Sequence, residues 1–340
     1  MSEKTCTLGI DLGGTKTLAA VVDIVTGTVL ASARKRTRAE RGQDFVSRRT
    51  IELTTAALDA AGLAASDLLA IGVGAAGQID RKNGVVVDAP NLGVRDLPIG
   101  ALLSKQFGRP VVVGNDVEVA ALGEARHGSG KGYSNFICIF VGTGIGSGIV
   151  QNGRVYTGFT GTAGEIGHIT VQAGGRICGC GGRGCLEAYA SRTAITKALM
   201  AEIHHGRSSV LADEAAKQLK EGETVIRSGV IADAIQKKDE LTIEVVIEAA
   251  NYLGYGIGSA MNFYNPDAII LGGGVIEAVD LLFETAVHRA RTVALAAPAR
   301  KTPIVRAKLG DFSGVVGAAC LATQVVEQHS VESGDHRSLA

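Results

Sequence analysis

The chain has 340 residues, with 34 Lys and Arg against 34 Asp and Glu, 46% hydrophobic and 20% charged residues. This balance provides no dedicated surface for nucleic acid or an anionic membrane, and the apolar share supports a large core rather than disorder. Aromatics are 4% with no Trp, so stacking platforms for bases or sugars are scarce, and the length suits one large or two medium domains.

The N-terminal MSEKTCTLGI has no apolar signal region, and a cytoplasmic protein with reduced cysteines is expected. Residues 6–12 read as an apolar strand carrying Asp11, followed by the turn Gly13-Gly14-Thr15-Lys16, a strand over 18–23 and a third over 28–33. A helix is expected over 45–61, strands over 68–75 and 84–87, a loop at Pro90-Asn91-Leu92-Gly93, a helix over 99–107 and a strand over 110–113. Asn115-Asp116 then caps a helix running to about residue 127. The uncharged stretch 132–153 is long enough for a membrane span, but its glycines and amides fit strand–turn–strand better.

That stretch repeats the beginning of the chain. Residues 10–22 (IDLGGTKTLAAVV) lie over residues 139–151 (IFVGTGIGSGIVQ), and turn glycines Gly27 and Gly153 follow, each two residues before a Val. The pattern is a duplicated domain plan with one phosphate-sized turn per half. Further on, helices are expected over 186–204, 209–219, 224–237, 241–263, 276–293 and 314–326, and strands over 268–271 and 304–309. Gly254, Gly256 and Gly258 permit close backbone approach, and the tail from Glu327 is polar.

Half of the six cysteines fall within eight positions, as Cys178-x-Cys180-x4-Cys185 with glycines between them. Three thiolates leave one corner of a zinc tetrahedron open, and His168, ten residues upstream, is the nearest imidazole, giving a structural Cys3His site. Disulfides or free thiols are the alternative, although Cys178 and Cys180 are too close in sequence to bridge comfortably. A nucleic-acid zinc module lacks its flanking basic and aromatic residues.

Gly13 to Lys16 and Gly142-Thr143-Gly144 sit between strands, where successive amides form anion nests. Neither fits a P-loop or a dinucleotide fingerprint, because no helix follows. Plain hairpin turns are the alternative, and two copies in register favour phosphate. Phosphoryl transfer to an alcohol needs a carboxylate to accept the hydroxyl proton. Asp116 is the candidate base, against a role as a helix cap. Glu165 and Glu187 read either as surface charges or as hydroxyl acceptors in a polyol pocket.

Asp11-Leu-Gly-Gly-Thr-Lys16, Pro90-Asn91-Leu92, Gly114-Asn115-Asp116, Gly142-Thr-Gly-Ile-Gly146, Gly164-Glu-Ile-Gly-His168, Cys-Gly-Cys-Gly-Gly-Arg-Gly-Cys-Leu-Glu187 and Leu271-Gly-Gly-Gly274 together resemble the ROK sugar kinases (repressors, open reading frames, kinases) along nearly all of residues 7–325. The resemblance implies an α/β, actin-like (ribonuclease-H-like) duplicated fold with two domains flanking a cleft. The expected division is residues 1–116 with 312–330 as a small domain, 117–311 as a large domain with the zinc knot, and 331–340 as a polar tail. The implied activity is ATP-dependent phosphorylation of a hexose 6-hydroxyl, glucose first. The alternatives are fructose, mannose, N-acetylglucosamine or N-acetylmannosamine as acceptor, polyphosphate as donor, or a non-catalytic sugar sensor.

By resemblance Asp116 is the base, and Asn91, Asn115, Glu165, His168 and Glu187 hold the other sugar hydroxyls. Asp11 sits by magnesium and the phosphates. Gly13, Gly14, Thr15, Lys16, Gly142, Thr143 and Gly144 cradle phosphate, and Gly273 and Gly274 lie against the adenosine. His168, Cys178, Cys180 and Cys185 match the family's zinc ligands. A homodimer or homotetramer is implied, with no nucleic-acid or membrane partner; repressor relatives carry a helix-turn-helix ahead of the first glycine motif, for which the segment here is too short. Glu118, Val119 and Ser147 depart from the family pattern, and Glu118 is expected to alter the pocket wall.

Overall fold

The computed structural model describes residues 5–213, 216–217 and 225–332, with side chains through 323. In chain order the first elements are β1 (Cys6–Leu12), β2 (Lys16–Asp23), β3 (Thr28–Arg36), α1 (Gln43–Ala61), β4 (Ile71–Ala75), β5 (Gln78–Asp80), β6 (Val85–Ala89), β7 (Val94–Leu97), α2 (Ile99–Phe107), β8 (Val111–Asn115) and α3 (Asp116–His127). Then come β9 (Phe136–Val141), β10 (Ile145–Gln151), β11 (Arg154–Tyr156), α4 (Glu187–Ala190), α5 (Arg192–His204), α6 (Ser228–Gln236), α7 (Glu240–Tyr264), β12 (Ala268–Gly272), α8 (Gly274–Ala278), α9 (Asp280–Val293), α10 (Ala296–Lys301), β13 (Ile304–Arg306) and α11 (Ser313–Glu332). Parts of the helices expected over 209–219 and 224–237, and the tail 333–340, lie outside the described residues.

Contacts divide the chain into two units, Met1–Gly132 with Gly153–Ala163 and Asp311–Ala340, and Tyr133–Asn152 with Gly164–Gly310. In the first, the sheet order is β3-β2-β1-β4-β8, with β1–β2 and β2–β3 antiparallel and β1–β4 and β4–β8 parallel. In the second, β10 pairs antiparallel with β9, whose other edge takes β12 and then β13, both parallel. A hairpin extended by two parallel strands therefore occurs twice, which is the duplication read from residues 10–22 and 139–151.

The first unit's core gathers Leu8, Ile10 and Leu12 of β1, Val73 of β4 and Leu53 and Leu58 of α1. Its sheet meets α11 at very short range. A Cβ on Gly9 or Gly72 would collide with the carbonyl oxygens of Val315 and Ala318, so these glycines let helix backbone lie directly on strand backbone. The helix α3 packs on α11 in the same way, through Gly123 and Gly317. That packing places α3 in the first unit, so the contact boundary falls at Gly132, past the Asp116 expected from sequence.

The second unit's core joins Ile137, Ile139 and Val141 to Val246, Leu253 and Ile257 of α7 and Leu282 and Ala286 of α9. Gly254 and Gly258 press on Arg289 and Val293 of α9, and Gly256 on Leu186, which accounts for the glycine row in α7. Two expected helices are interrupted. Ser191 ends α4 and caps α5, its side chain accepting from the Ala194 amide, and Val279, at φ −119°, separates α8 from α9. The single strand expected over 84–87 is the middle of a three-stranded antiparallel sheet, β5-β6-β7. No helix among the described residues is long and apolar enough to cross a membrane.

Candidate functional site

In the first unit Asp11 lies near the end of β1, and the turn Gly13–Lys16 leads into β2. The Gly13 amide donates to the Lys16 carbonyl at 3.1 Å, and the Thr37 amide to the Thr15 carbonyl at 3.0 Å. The amides of Gly14 and Thr15 meet no acceptor among the described residues. Neither glycine has positive φ. A Cβ on Gly14 would stand 2.6 Å from the Asn91 carbonyl oxygen, so glycine is required there by close approach. That approach also seats Asn91, in the turn Pro90–Leu92, beside the phosphate-sized turn. Lys16 is engaged with Asp311 at 2.5 Å, and Asp311 also takes Arg34 at 2.7 Å. These two cations hold the Asp311 carboxyl below its usual range despite partial burial.

Asn115 is the N-cap of α3. Its side-chain oxygen accepts from the amides of Val117 at 3.1 Å and Glu118 at 3.3 Å, and its amide group donates to the Gly77 carbonyl at 3.2 Å. This separates the two sequence readings of the pair: Asn115 caps, and Asp116 is the first residue of the helix, with its Oδ1 accepting from the Val117 amide at 2.9 Å. Burial, then the charge of Asp116, push the Asp11 carboxyl up to about 7, with Lys16 acting against them. Glu118 is buried and pairs with Arg81, so this departure from the family pattern is a strut from the β5–β6 turn to the helix carrying Asp116.

In the second unit the turn Gly142–Gly144 repeats the plan. The Gly142 amide donates to the Gly144 carbonyl at 2.9 Å, and the amides of Thr143 and Gly144 meet no acceptor among the described residues. Again no positive φ is used. The Ile145 amide donates to Glu187 Oε2 at 2.9 Å, and a Cβ on Gly144 would collide with that carboxylate. One oxygen of Glu187 is thus committed to the turn, while Oε1 lies 3.8 Å from Cys178 Sγ.

His168, Cys178, Cys180 and Cys185 each offer a ligand atom, all within 4.8 Å of one another. Cys180 and Cys185 Sγ are 3.8 Å apart, and His168 Nδ1 is 3.7 Å from Cys178 Sγ. A tetrahedron with metal–sulfur bonds of about 2.3 Å has edges of about 3.8 Å, so the donor set and its spacing fit zinc. Burial pushes the Cys178 thiol up to about 12, whereas the Gly182 amide draws exposed Cys180 down.

Glu165 is exposed at the start of the turn Ile166–His168. Ser147, another of the departures, donates its hydroxyl to the Gly164 carbonyl and ties this segment to β10. Sequence reasoning missed Tyr189. Its buried hydroxyl accepts from the Arg176 amide at 2.7 Å, and the Arg176 guanidinium lies 4.6 Å from its ring and pairs with Glu248 at 3.1 Å. The cysteine loop is therefore fastened to α4 by an aromatic residue no motif marks, and to α7 by the Arg176–Glu248 pair. Gly273, at φ 92°, presses on the backbone of Val141, so the turn after β12 lies against the residue preceding Gly142.

Two hairpin-plus-parallel sheets, each with an open-amide turn after its first strand, define an α/β protein of the actin-like class. Residues 7–325 match the model of the ROK family, and the chain belongs to that family. It is 35% identical over 329 residues to a glucokinase of Halalkalibacterium halodurans, covering 96% of this chain and 97% of the relative. Among solved structures it is similar to a ROK family glucokinase from Streptomyces griseus in complex with glucose and AMPPNP, with a TM-score of 0.80 and 33% identity, covering 94% of this chain and 99% of the other. It is also similar to a ROK hexokinase from Thermus thermophilus, with a TM-score of 0.75 and 33% identity, covering 95% and 99%.

Proposed function

We propose that the chain is an ATP-dependent hexokinase of the glucokinase type, transferring a phosphoryl group to the 6-hydroxyl of a hexose, glucose foremost. Near-full-length similarity to glucokinases supports this reading. The carrying observation lies in the first unit, which gathers a base candidate, Asp116, a carboxyl with raised proton affinity, Asp11, and an open-amide turn. Asp116 is the general base that orients the 6-hydroxyl and accepts its proton. Asn115 fixes the first turn of α3, and hence where that carboxylate points.

The open amides of Gly14, Thr15, Thr143 and Gly144 fit phosphate oxygens, and the turn at Gly273 and Gly274, where an added Cβ on Gly274 would meet no backbone, suits the nucleoside of ATP. Asp11 fits magnesium: it is a carboxyl whose proton a bound cation would displace to solvent, and the ion would neutralise charge on the transferring phosphates. Zinc is the reading for the knot, held by His168, Cys178, Cys180 and Cys185. His168 turns Nδ1 to the thiols, which leaves Nε2 for a sugar hydroxyl. Asn91, Glu165 and Glu187 complete the sugar ligands. The chain is proposed to act in the cytoplasm as a homodimer or homotetramer.

The test is ADP release with ATP and magnesium across glucose, mannose, fructose, N-acetylglucosamine and N-acetylmannosamine. Glucose turning over with the highest kcat/KM supports the proposal. Preferred turnover of an N-acetylhexosamine moves it to another sugar, and binding of sugar without ADP release makes the chain a sensor.

A further inference from the structure

Ser228, the first residue of α6, plays no part in any motif, and the structure leaves its hydroxyl unexplained. The residue is 7% exposed, and Oγ is buried with no hydrogen-bond partner among the described residues. Buried hydroxyls in folded proteins nearly always find a partner, and one that does not marks a place where something else supplies it. The start of α6 repeats the point. Arg227 at the N-cap makes no side-chain cap, and the amides of Val230 and Ile231 turn back to the Arg227 carbonyl at 3.0 and 3.3 Å. The amides of Ser228 and Gly229 meet no acceptor among the described residues, and the space beside Gly229 holds no atom within 4 Å of an added Cβ.

The hydroxyl is aimed at the turn after β12. A Cβ built on Gly274 would meet one atom within 4 Å, Ser228 Oγ at 3.8 Å. Gly273 cannot carry a side chain, since its Cβ would stand 2.5 Å from the Val141 carbonyl oxygen. Helices α6 and α8 pack on each other, and Val225, Ile226, Val275 and Ile276 around this spot are buried and apolar. A small unpaired hydroxyl over an apolar floor beside a two-glycine turn suits a flat heterocycle or a ribose, whose polar groups pair one to one with a hydroxyl. It does not suit a triphosphate, which the open-amide turns serve.

We propose that Ser228 is a nucleotide-binding residue, its hydroxyl bonding the nucleoside half of ATP where that half lies against Gly273 and Gly274. The inference rests on the ATP reading above and adds to it a residue on α6. Losing one such hydrogen bond costs roughly 5- to 100-fold in affinity. Calorimetric titration of ADP and of tripolyphosphate into the wild type, Ser228→Ala and Ser228→Thr tests it, together with melting of the ligand-free proteins. Ser228→Ala is expected to weaken ADP by that factor, to leave tripolyphosphate unchanged and to melt no lower than wild type, because the hydroxyl removed has no partner among the described residues. Ser228→Thr, which keeps the hydroxyl, is expected to retain ADP affinity within about threefold. ADP affinity of Ser228→Ala within twofold of wild type, an equal loss for tripolyphosphate, or a lower melting temperature each overturns the assignment. A wild type that binds no ADP overturns the ATP reading itself.

Discussion

Replacing Asp11 by Asn is expected to make the protein more stable while abolishing its activity. The carboxyl is pushed from its usual 3.8 to about 7 by burial and by Asp116, which corresponds to about 4 kcal/mol of differential stability. Below about pH 4 the group is protonated in both the folded and the unfolded chain and contributes nothing. Between about pH 4 and 7 the folded chain keeps a proton that the unfolded chain releases, so stability falls as pH rises and levels off above 7. Asn has the same shape and never ionises. Relative to wild type, Asp11→Asn is expected to be indistinguishable near pH 4 and more stable by up to about 4 kcal/mol at pH 8. Denaturant midpoints of both proteins across this range, in chelator, measure the difference and cancel the other titrating groups. Adding magnesium to the wild type at pH 8 should recover part of the gap, and adding it to the variant should not. Parallel pH profiles for the two proteins would refute the account of Asp11, as would a variant that keeps phosphorylating activity.

Asp116→Asn is expected to lower kcat by at least about 10² to 10⁴ with hexose affinity retained; a rate at saturating sugar within tenfold of wild type would remove Asp116 from the base role. Gly142→Ala meets no atom within 4 Å and needs no unusual dihedral, so its melting temperature should match wild type while the KM for ATP rises about tenfold or more through crowding of the open amides. An unchanged KM would return that turn to a plain hairpin. Cys180→Ser should lose the metal and weaken glucose binding by about tenfold or more, since His168 and Glu187 both adjoin the thiols, while ADP affinity changes little. Elemental analysis with calorimetry checks this, and a metal-free variant that binds glucose normally would separate the knot from the sugar site.

The duplication was legible because each half writes the same strand, glycine turn and strand, with Gly13 and Gly142 at the same place in the two copies. The grouping of His168 with the three thiols was legible because Cys178, Cys180 and Cys185 are close in sequence and only His168 had to be found. What escaped was set by packing between distant segments. Gly9 and Gly72 read as ordinary strand glycines, and nothing local reveals that α11 lies on them. The helix α3 was assigned across the domain boundary for the same reason, its partner being nearly two hundred residues away. The breaks at Ser191 and Val279 interrupt apolar patterns that continue on either side, so periodicity alone runs through them. Gly14 reads as one glycine of a turn, whereas its neighbour is the Asn91 carbonyl, a contact sequence spacing cannot predict. Tyr189 and Ser228 carry no motif, and what each does depends on which distant groups the fold brings to its hydroxyl.

The most direct test of the central claim is phosphoryl transfer itself, followed as ADP release by the wild type and Asp116→Asn with glucose, ATP and magnesium, with the sugar product identified by mass and by its phosphate position. The account predicts glucose 6-phosphate formed in step with ADP by the wild type and a rate at least a hundredfold lower in the variant. A wild type that binds glucose and ATP but forms no sugar phosphate, or a variant that forms it at the wild-type rate, would contradict it.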